Sequence, residues 1–538
     1  MRAGRPVLAV CGVIALAVFM CAGLGMWQYS QEEVHSRVWQ HEAEKDADPS
    51  TGPTELPGDF LVDGSFASHL PVVVIDTGGR EIVNYKYYDS STDSMKYPEG
   101  VDVYTPMTLS VIDNENHVNH PTDAPAQQSQ GKLKVRGNHS AMLAKLQYRI
   151  KLLTEDGEKN RIPILGMEPS DDWVLNGTQS DRSHLRTYLG MNFMGTLQAS
   201  TPDVRFCEVL MKEGERYRYQ GLYMFLEPVS RGEGRVDIDK YDPSAAAVPY
   251  LARRDRYDKS AVTLDTWLSR RREKRKDWDL RLENDAVIEL IYPNEKAVTA
   301  ESLAKIEGEI DEFERILYSE DAGTFVRYRQ YIDMESFCDY FLINEFMASY
   351  DAGVHSTYFY KDTAGRITMG PVWDFDGCAD NVTNELTRYD YIVLGSRPWY
   401  EQMVKDPVFV KMLTTRFGQL RAGLLSDENI EKIVGDTVDY LGNAVSRDTQ
   451  RWRAEYAGQF PVLTEEETGL SIWRDSDSFE KEVKRVEDFL ILHARFMDQN
   501  LPYVRRYEEK GSSFETPAIL CLLAFFIAVV LVQRSRRY

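Results

Sequence analysis

The most informative patterning lies between Phe337 and Asn381. Phe337, Cys338, Tyr340, Phe341, Leu342, Ile343, Phe346 and Met347 make its first part apolar on most sides. That predicts a buried helix carrying Asn344 and Glu345. Asp351-Ala352-Gly353 then favours a turn. Thr357 to Tyr360 predict a short strand, residues 361–365 a turn, and Ile367 to Met369 a return strand. This strand leads into Pro371-Val372-Trp373-Asp374-Phe375-Asp376-Gly377. A hairpin returns its far end to its start, so Asp351 is expected to share one pocket with Asp374 and Asp376. Strand alternation would put both members of that pair on one side, with Trp373 and Phe375 on the other.

Upstream the rhythm is that of strands: Leu70 to Ile75, Leu109 to Ile112, Leu133 to Arg136 and Tyr148 to Leu153, with a polar loop running through Gln130. In the last of these, Tyr148, Ile150 and Leu152 alternate and leave Arg149 and Lys151 on the opposite side. Downstream the rhythm is helical. Ser302 to Leu317 predicts a packing helix capped by Thr299. Pro407 to Leu425 and Ser426 to Val445 predict paired helices, and Phe479 to Leu501 another, with His493 on its core stripe.

Two apolar runs stand apart. Val7 to Met26 follows Arg2 and Arg5, and Ala518 to Val532 precedes Arg534, Arg536 and Arg537. Each is expected to span a membrane, the first as an uncleaved anchor rather than a signal peptide. The positive flanks put both termini in the cytoplasm and the main domain outside the cell. The expected organisation is an anchor over 1–27, a polar juxtamembrane linker over 28–59, an ectodomain over 60–506, a linker over 507–515 and a membrane helix with a basic tail over 516–538. Within the ectodomain, 60–250 reads as mainly β, 251–330 as a basic and helical insert, and 331–506 as the hairpin with its helical part.

Composition adds exclusions. With 43% hydrophobic and 28% charged residues a sizeable core is available. A net charge of −22 argues against nucleic acid while leaving room for a small basic pocket. The cysteines outside the apolar runs, Cys207, Cys338 and Cys378, show neither metal spacing nor a disulfide framework. The basic region between Arg253 and Lys276, which includes the run from Arg270 to Lys276, reads as a solvated helix face or as a docking patch for acidic or phosphorylated partners. No Gly-x-Ser-x-Gly elbow and no paired His or Cys spacing supports a serine hydrolase or a zinc site.

The aspartates carry the chemistry. Two carboxylates on one side repel unless a cation lies between them, and hard oxygen ligands suit Mg²⁺, Mn²⁺ or Ca²⁺. A further acid across the hairpin has the layout of a phosphoryl-transfer site; equally, Asp is common in turns. Arg136 to Ser140 places Gly137 and small polar residues between strands, where backbone N–H groups can approach a phosphate, without a Walker signature.

The order of these blocks resembles the spore-coat protein H (CotH) kinase-like family. Val135-Arg136-Gly137-Asn138-His139-Ser140 with Lys145, Tyr148 and Lys151 is similar to its Arg-Gly-x-x-Ser…Lys…Tyr segment, and Trp173-Val174-Leu175 with Asp181, Leu185 and Arg186 to its next block. Gly221 to Glu227 resembles its Gly-x-Tyr…Glu strand, and the Trp-Asp-Phe-Asp run its metal motif. The resemblance spans residues 70–501. It implies an α+β, divergent protein-kinase-like ectodomain with a helical C-terminal half. It further implies transfer of the ATP γ-phosphoryl to Ser or Thr of a protein substrate. In that reading Asp351 orients the acceptor hydroxyl, and Asp374 with Asp376 holds Mg²⁺ or Mn²⁺. Lys145 holds the phosphates, with Lys151 as the alternative, Glu227 in support, and Arg136 and Ser140 on the nucleotide side. The residues around Asp351 do not form the His-Arg-Asp…Asn loop of ordinary kinases. Two other classes stay open: a binding module with a structural cation, and a polysaccharide-acting enzyme with paired carboxylates as acid and base.

Overall fold

Alternation of apolar and polar positions over residues 72–226 builds a closed barrel. The computed structural model describes residues 37–90, 94–257, 261–272, 286–382, 386–457, 463–464, 471–472, 474 and 478–507, and everything below belongs to the unit that begins at Val38. The barrel strands are β1 (Val72–Asp76), β2 (Thr105–Ile112), β3 (Gln127–Arg136), β4 (Gln147–Leu153), β5 (Asp172–Gly177), β6 (Val204–Glu213) and β7 (Arg216–Leu226). They pair in the order β7-β5-β4-β3-β2-β1-β6, and β6 pairs back onto β7 to close the ring. An odd number of strands cannot alternate direction all the way round, and the exception is the parallel pair β1–β6. Inward side chains, among them Leu133, Val135, Ile150, Leu152, Trp173 and Phe225, fill the barrel. β3 begins at Gln127, inside the stretch expected as a polar loop.

The second half is mixed. A sheet of β8 (Tyr250–Arg256), β9 (Val262–Thr263), β10 (Ala286–Tyr292), β11 (Thr357–Lys361) and β12 (Thr368–Met369) joins a helical layer. The helices are α1 (Arg186–Leu197), α2 (Ala300–Leu317), α3 (Met334–Phe346), α4 (Pro407–Arg421), α5 (Asp427–Leu441), α6 (Asn443–Arg451) and α7 (Phe479–Asn500). Thr299 caps α2 and Ser426 caps α5 through their side-chain oxygens, as expected. α3 is buried on every side from Phe337 to Phe346, which is why its sequence shows no polar face. His493 is buried, with hydrogen bonds to the carbonyls of Tyr389 and Glu345.

The expected fold needs correction. A seven-stranded barrel with a mixed α/β second half replaces the α+β kinase-like plan with terminal membrane helices. Among the described residues no helix is long and apolar enough to cross a membrane. The apolar runs at 7–26 and 518–532 lie outside the described residues, so the two spanning helices find no support. The stretch expected as linker is packed from residue 38 onward. Trp39, Gln40, His41 and Leu56 are buried, and Arg447 Nη1 donates to Pro53 O at 2.8 Å. Of the basic run, Arg270 pairs with Asp265 at 3.0 Å and also with Asp311, and Arg271 lies over the Trp267 ring. Residues 273–276 lie outside the described residues.

Candidate active site

The hairpin forms as its sequence predicts, with Phe359 opposite Met369 and Tyr360 opposite Thr368. At its start, the N–H groups of Val354 and His355 donate to Asp351 O at 3.0 and 2.8 Å, making the turn after α3. At its end the expectation of a strand fails. Residues 370–375 carry no ladder, and Asp374 has φ +70°, in the left-handed region. What orders this turn is packing. Phe375 is buried on Gly190 of α1, where a Cβ would come within 2.5 Å of its ring. Trp373 lies beside the Arg136 guanidinium, 5.8 Å from ring centroid to Cζ.

The turn still brings the acids together. Ser356 Oγ donates to Asp374 Oδ2 at 3.2 Å, and Ser180 Oγ to Asp376 Oδ2 at 2.8 Å. Asp374 is exposed to solvent at the edge of the cleft, with protein around its carboxylate. Desolvation and the neighbouring Asp376 charge push its carboxyl up to about 7, against the pull of Arg136. Burial and the charge of Asp374 push Asp351 up to about 6, against Arg256 and Arg397. These groups therefore share one field, and each is easier to ionise when a cation is near.

Beside Asp374 opens a cleft of about 540 Å³ whose charge is opposite to that of the chain as a whole. Its floor is the outer face of β3 and β4, where the alternation that buries Leu133, Val135, Tyr148 and Ile150 turns Lys134, Arg136, Arg149 and Lys151 outward. Arg253 and Arg256 of β8 add to it, as do Lys96, at the end of a short strand over Ser94–Lys96, and Lys86, just before its partner strand Tyr87–Asp89. Register sharpens the point: Lys132 stands opposite Lys151, and Lys134 opposite Arg149. Like charges directly across a ladder destabilise it. Asp172 alone serves both Arg149 and Lys151, whereas Lys134 lies over the rings of Tyr97 and Tyr104, at 4.1 and 5.1 Å. Burial, then the charges of Arg149 and Lys151, hold Lys134 below the ordinary lysine value. Arg136 has Gln147 Oε1 at 2.7 Å and is likewise held down by burial.

The other residues singled out in the sequence lie elsewhere. Lys145 is not among the cleft residues; it is buried, its Nζ 2.6 Å from Asp448 Oδ1 and 3.1 Å from Thr178 Oγ1. Glu227 is buried against Arg235, 2.7 Å away, and accepts from Asp203 N. Ser140 sits in a short 3₁₀ turn against Gly137, where a Cβ would lie 2.0 Å from Ser140 Oγ. Gly137 and Asn138 line the cleft. Lys134, Ser180, Arg256 and Ser356 were not read from the sequence. For Lys134 the signal exists: it shares the alternation that exposes Arg136. A larger cavity, about 1070 Å³, lies away from the aspartates, between Thr54, Arg182, Arg453 and Phe479. Ala457 and Ser478 are among its lining residues, and most of the chain between them lies outside the described residues.

Among the described residues no group of three or more His, Cys, Asp or Glu side chains is arranged to hold a metal ion. The donor set at hand is a pair of mutually repelling carboxylates with the Ser180 and Ser356 hydroxyls beside them. Such a set fits Mg²⁺, which uses one or two protein carboxylates and completes its shell with phosphates and water.

A family model described as CotH kinase protein matches residues 133–497. The chain belongs to the CotH kinase family. The matched range begins on β3, ends within α7 and contains every residue of the cleft floor and the aspartate turn. CotH membership implies, in general terms, a kinase-related function, a nucleotide with a divalent metal, and a protein substrate. Comparison with curated proteins finds no match.

Proposed function

We propose that this CotH protein transfers the γ-phosphoryl of ATP to a Ser or Thr hydroxyl of a protein, with the triphosphate lying in the cationic cleft and its γ-end at Asp374. The observation that carries this reading is the cleft's excess of cations, eight Lys and Arg side chains against Asp255 and Asp374 in its lining. Like-charged pairs on β3 and β4 are a cost to the fold that a bound polyanion removes. Tyr97, Tyr104 and Trp373 line the same cleft, in contact with Lys134 and Arg136. Asp374 and Asp376 would hold Mg²⁺ or Mn²⁺, which when bound neutralises charge on the phosphates.

Arg136 and Lys134 bind the phosphates and keep them in line with the acceptor. Asp351, its carboxyl raised towards neutrality, accepts a hydrogen bond from the acceptor hydroxyl and orients it. The hydroxyl oxygen bonds to the γ-phosphorus as the bond to the β–γ bridging oxygen breaks. Its proton passes to an Asp351 oxygen, and ADP carries away the bond's electron pair. Lys145, paired inside the protein, has no part at the phosphates in this scheme.

The test is transfer of labelled γ-phosphate from ATP, with Mg²⁺ and then Mn²⁺, to the protein itself and to Ser-rich acceptors. Asp351→Ala is expected to keep nucleotide binding and to slow transfer by about a hundredfold or more. A wild-type protein that binds a cation yet neither binds nor consumes nucleotide would sink the reading and favour a structural ion site.

A further inference from the structure

Asp376 is fastened from outside the cleft, and the fastening leads back to a buried ion pair. Ser180 Oγ donates to Asp376 Oδ2 at 2.8 Å. Asn381 Nδ2 donates to both Ser180 O and Asp376 O, at 2.7 and 2.6 Å, so the two residues are joined through backbone as well as side chain. Ser180 lies in the connection between β5 and α1, and that connection is itself pinned. Thr178 Oγ1 accepts from Lys145 Nζ at 3.1 Å, and Gln179 Oε1 from Lys145 N at 2.8 Å.

Lys145 is fixed in turn. Asp448 Oδ1 lies 2.6 Å from its Nζ and also accepts from Leu222 N, while Asp448 Oδ2 accepts from Tyr456 OH at 2.6 Å. Space for the lysine is built in by two glycines. A Cβ on Gly177 would lie 3.3 Å from Lys145 Cγ, and one on Gly221 3.2 Å from its Cε. On the far side of the turn, Arg186 donates to Cys378 O and Ala379 O at 2.8 and 3.2 Å. It is held by Asp181 at 2.7 Å and Glu482 at 2.9 Å.

We infer that Ser180 is a positioning residue for Asp376, and that Lys145, through Thr178 and Gln179, sets where Ser180 stands. The inference deepens the phosphoryl-transfer reading and rests on Asp376 sharing the cation with Asp374. A hydroxyl bound to one carboxylate oxygen fixes the plane of the carboxylate and leaves Oδ1 for the cation. Without that donor, repulsion from Asp374 turns Asp376 away before a cation arrives. Lys145 thus reaches the site without touching substrate.

The test measures Mn²⁺ binding to the purified protein, with and without ATP, from the magnetic-resonance signal of free Mn²⁺, alongside the melting temperature. Ser180→Ala is expected to bind Mn²⁺ about tenfold more weakly at an unchanged melting temperature. Ser180→Thr, which keeps the hydroxyl, restores binding. Thr178→Val, nearly the same shape, leaves the Lys145–Asp448 pair in place and weakens Mn²⁺ binding in the same direction by less. If wild type and Asp376→Ala bind Mn²⁺ equally tightly, Asp376 holds no cation and the inference falls while the reading at Asp374 stands; if neither binds Mn²⁺, both fall. If Asp376→Ala loses Mn²⁺ while Ser180→Ala keeps it, the reading stands and the positioning role is overturned. Unchanged binding in Thr178→Val beside a weakened Ser180→Ala removes the Thr178 link between Lys145 and Ser180 from the account.

Discussion

Two charged regions of this protein differ in how completely they answer their own charges. In the interior, Lys145 faces Asp448, and Arg447 faces Glu208 at 2.6 and 2.9 Å, with Tyr219 OH also donating to Glu208. All four charged side chains are without solvent exposure. Burial works against the charge of Asp448, but Lys145 and its other donors outweigh it and hold the carboxyl below its ordinary value. In the cleft, cations stand opposite cations on neighbouring strands, and the charge of Asp376 helps to push the Asp374 carboxyl upward. Satisfied charges hold the fold together. Where cations outnumber carboxylates a bound anion relieves their repulsion, which is the basis for proposing that binding takes place there.

Removing one member of an interior pair should have the largest effect on stability. Lys145→Met leaves Asp448 buried and unpaired, and is expected to cost about 3–5 kcal/mol in denaturant unfolding. A loss below about 1 kcal/mol would contradict the contrast from the interior side. Arg136→Gln should leave the unfolding midpoint nearly unchanged and weaken ATP binding by about tenfold, read by calorimetry, because one charge-assisted phosphate contact is lost. A destabilised protein with intact ATP affinity would reverse the assignment.

In Lys134→Gln, relief of the Lys134–Arg149 pair offsets the loss of the Lys134 contacts with the Tyr97 and Tyr104 rings, so the ligand-free stability is expected to change by less than about 1 kcal/mol, while ATP affinity falls and its salt dependence becomes shallower. The smallest effect is that of pH. Asp351 and Asp374 have folded values raised from 3.8 to about 6 and about 7. Between 3.8 and those values the folded state therefore holds protons that the unfolded chain has released. Stability of the ligand-free protein should fall as pH rises through this window, and Asp374→Ala should flatten the slope in thermal melts. Mg²⁺-dependent ATP binding should strengthen over the same rise, since the cation competes with those protons.

The aspartate hairpin was legible because a change of period, from a helix buried on all sides to two short strands, lies within about forty residues. The barrel was not. Its closure depends on β6 pairing with both β7 and β1, a link that no local pattern carries. Alternation on β3 and β4 was written in the sequence, yet Gln127 to Gln130 read as loop because they carry little apolar signal. Lys145 was singled out because it stands where the resembling family has its lysine. Its partner lies 303 residues further along the chain, beyond any spacing argument. The Asp374 turn departed from alternation because Phe375 packs onto Gly190, a contact between distant elements.

The most direct test is calorimetric titration of the purified protein with ATP, with and without Mg²⁺, beside the same titrations of Asp374→Ala. Saturable binding that requires Mg²⁺ in the wild type and disappears in Asp374→Ala, at an unchanged or higher melting temperature, is the predicted result. Equal ATP binding by both proteins, or none by either, would contradict a cation-assisted triphosphate site at Asp374.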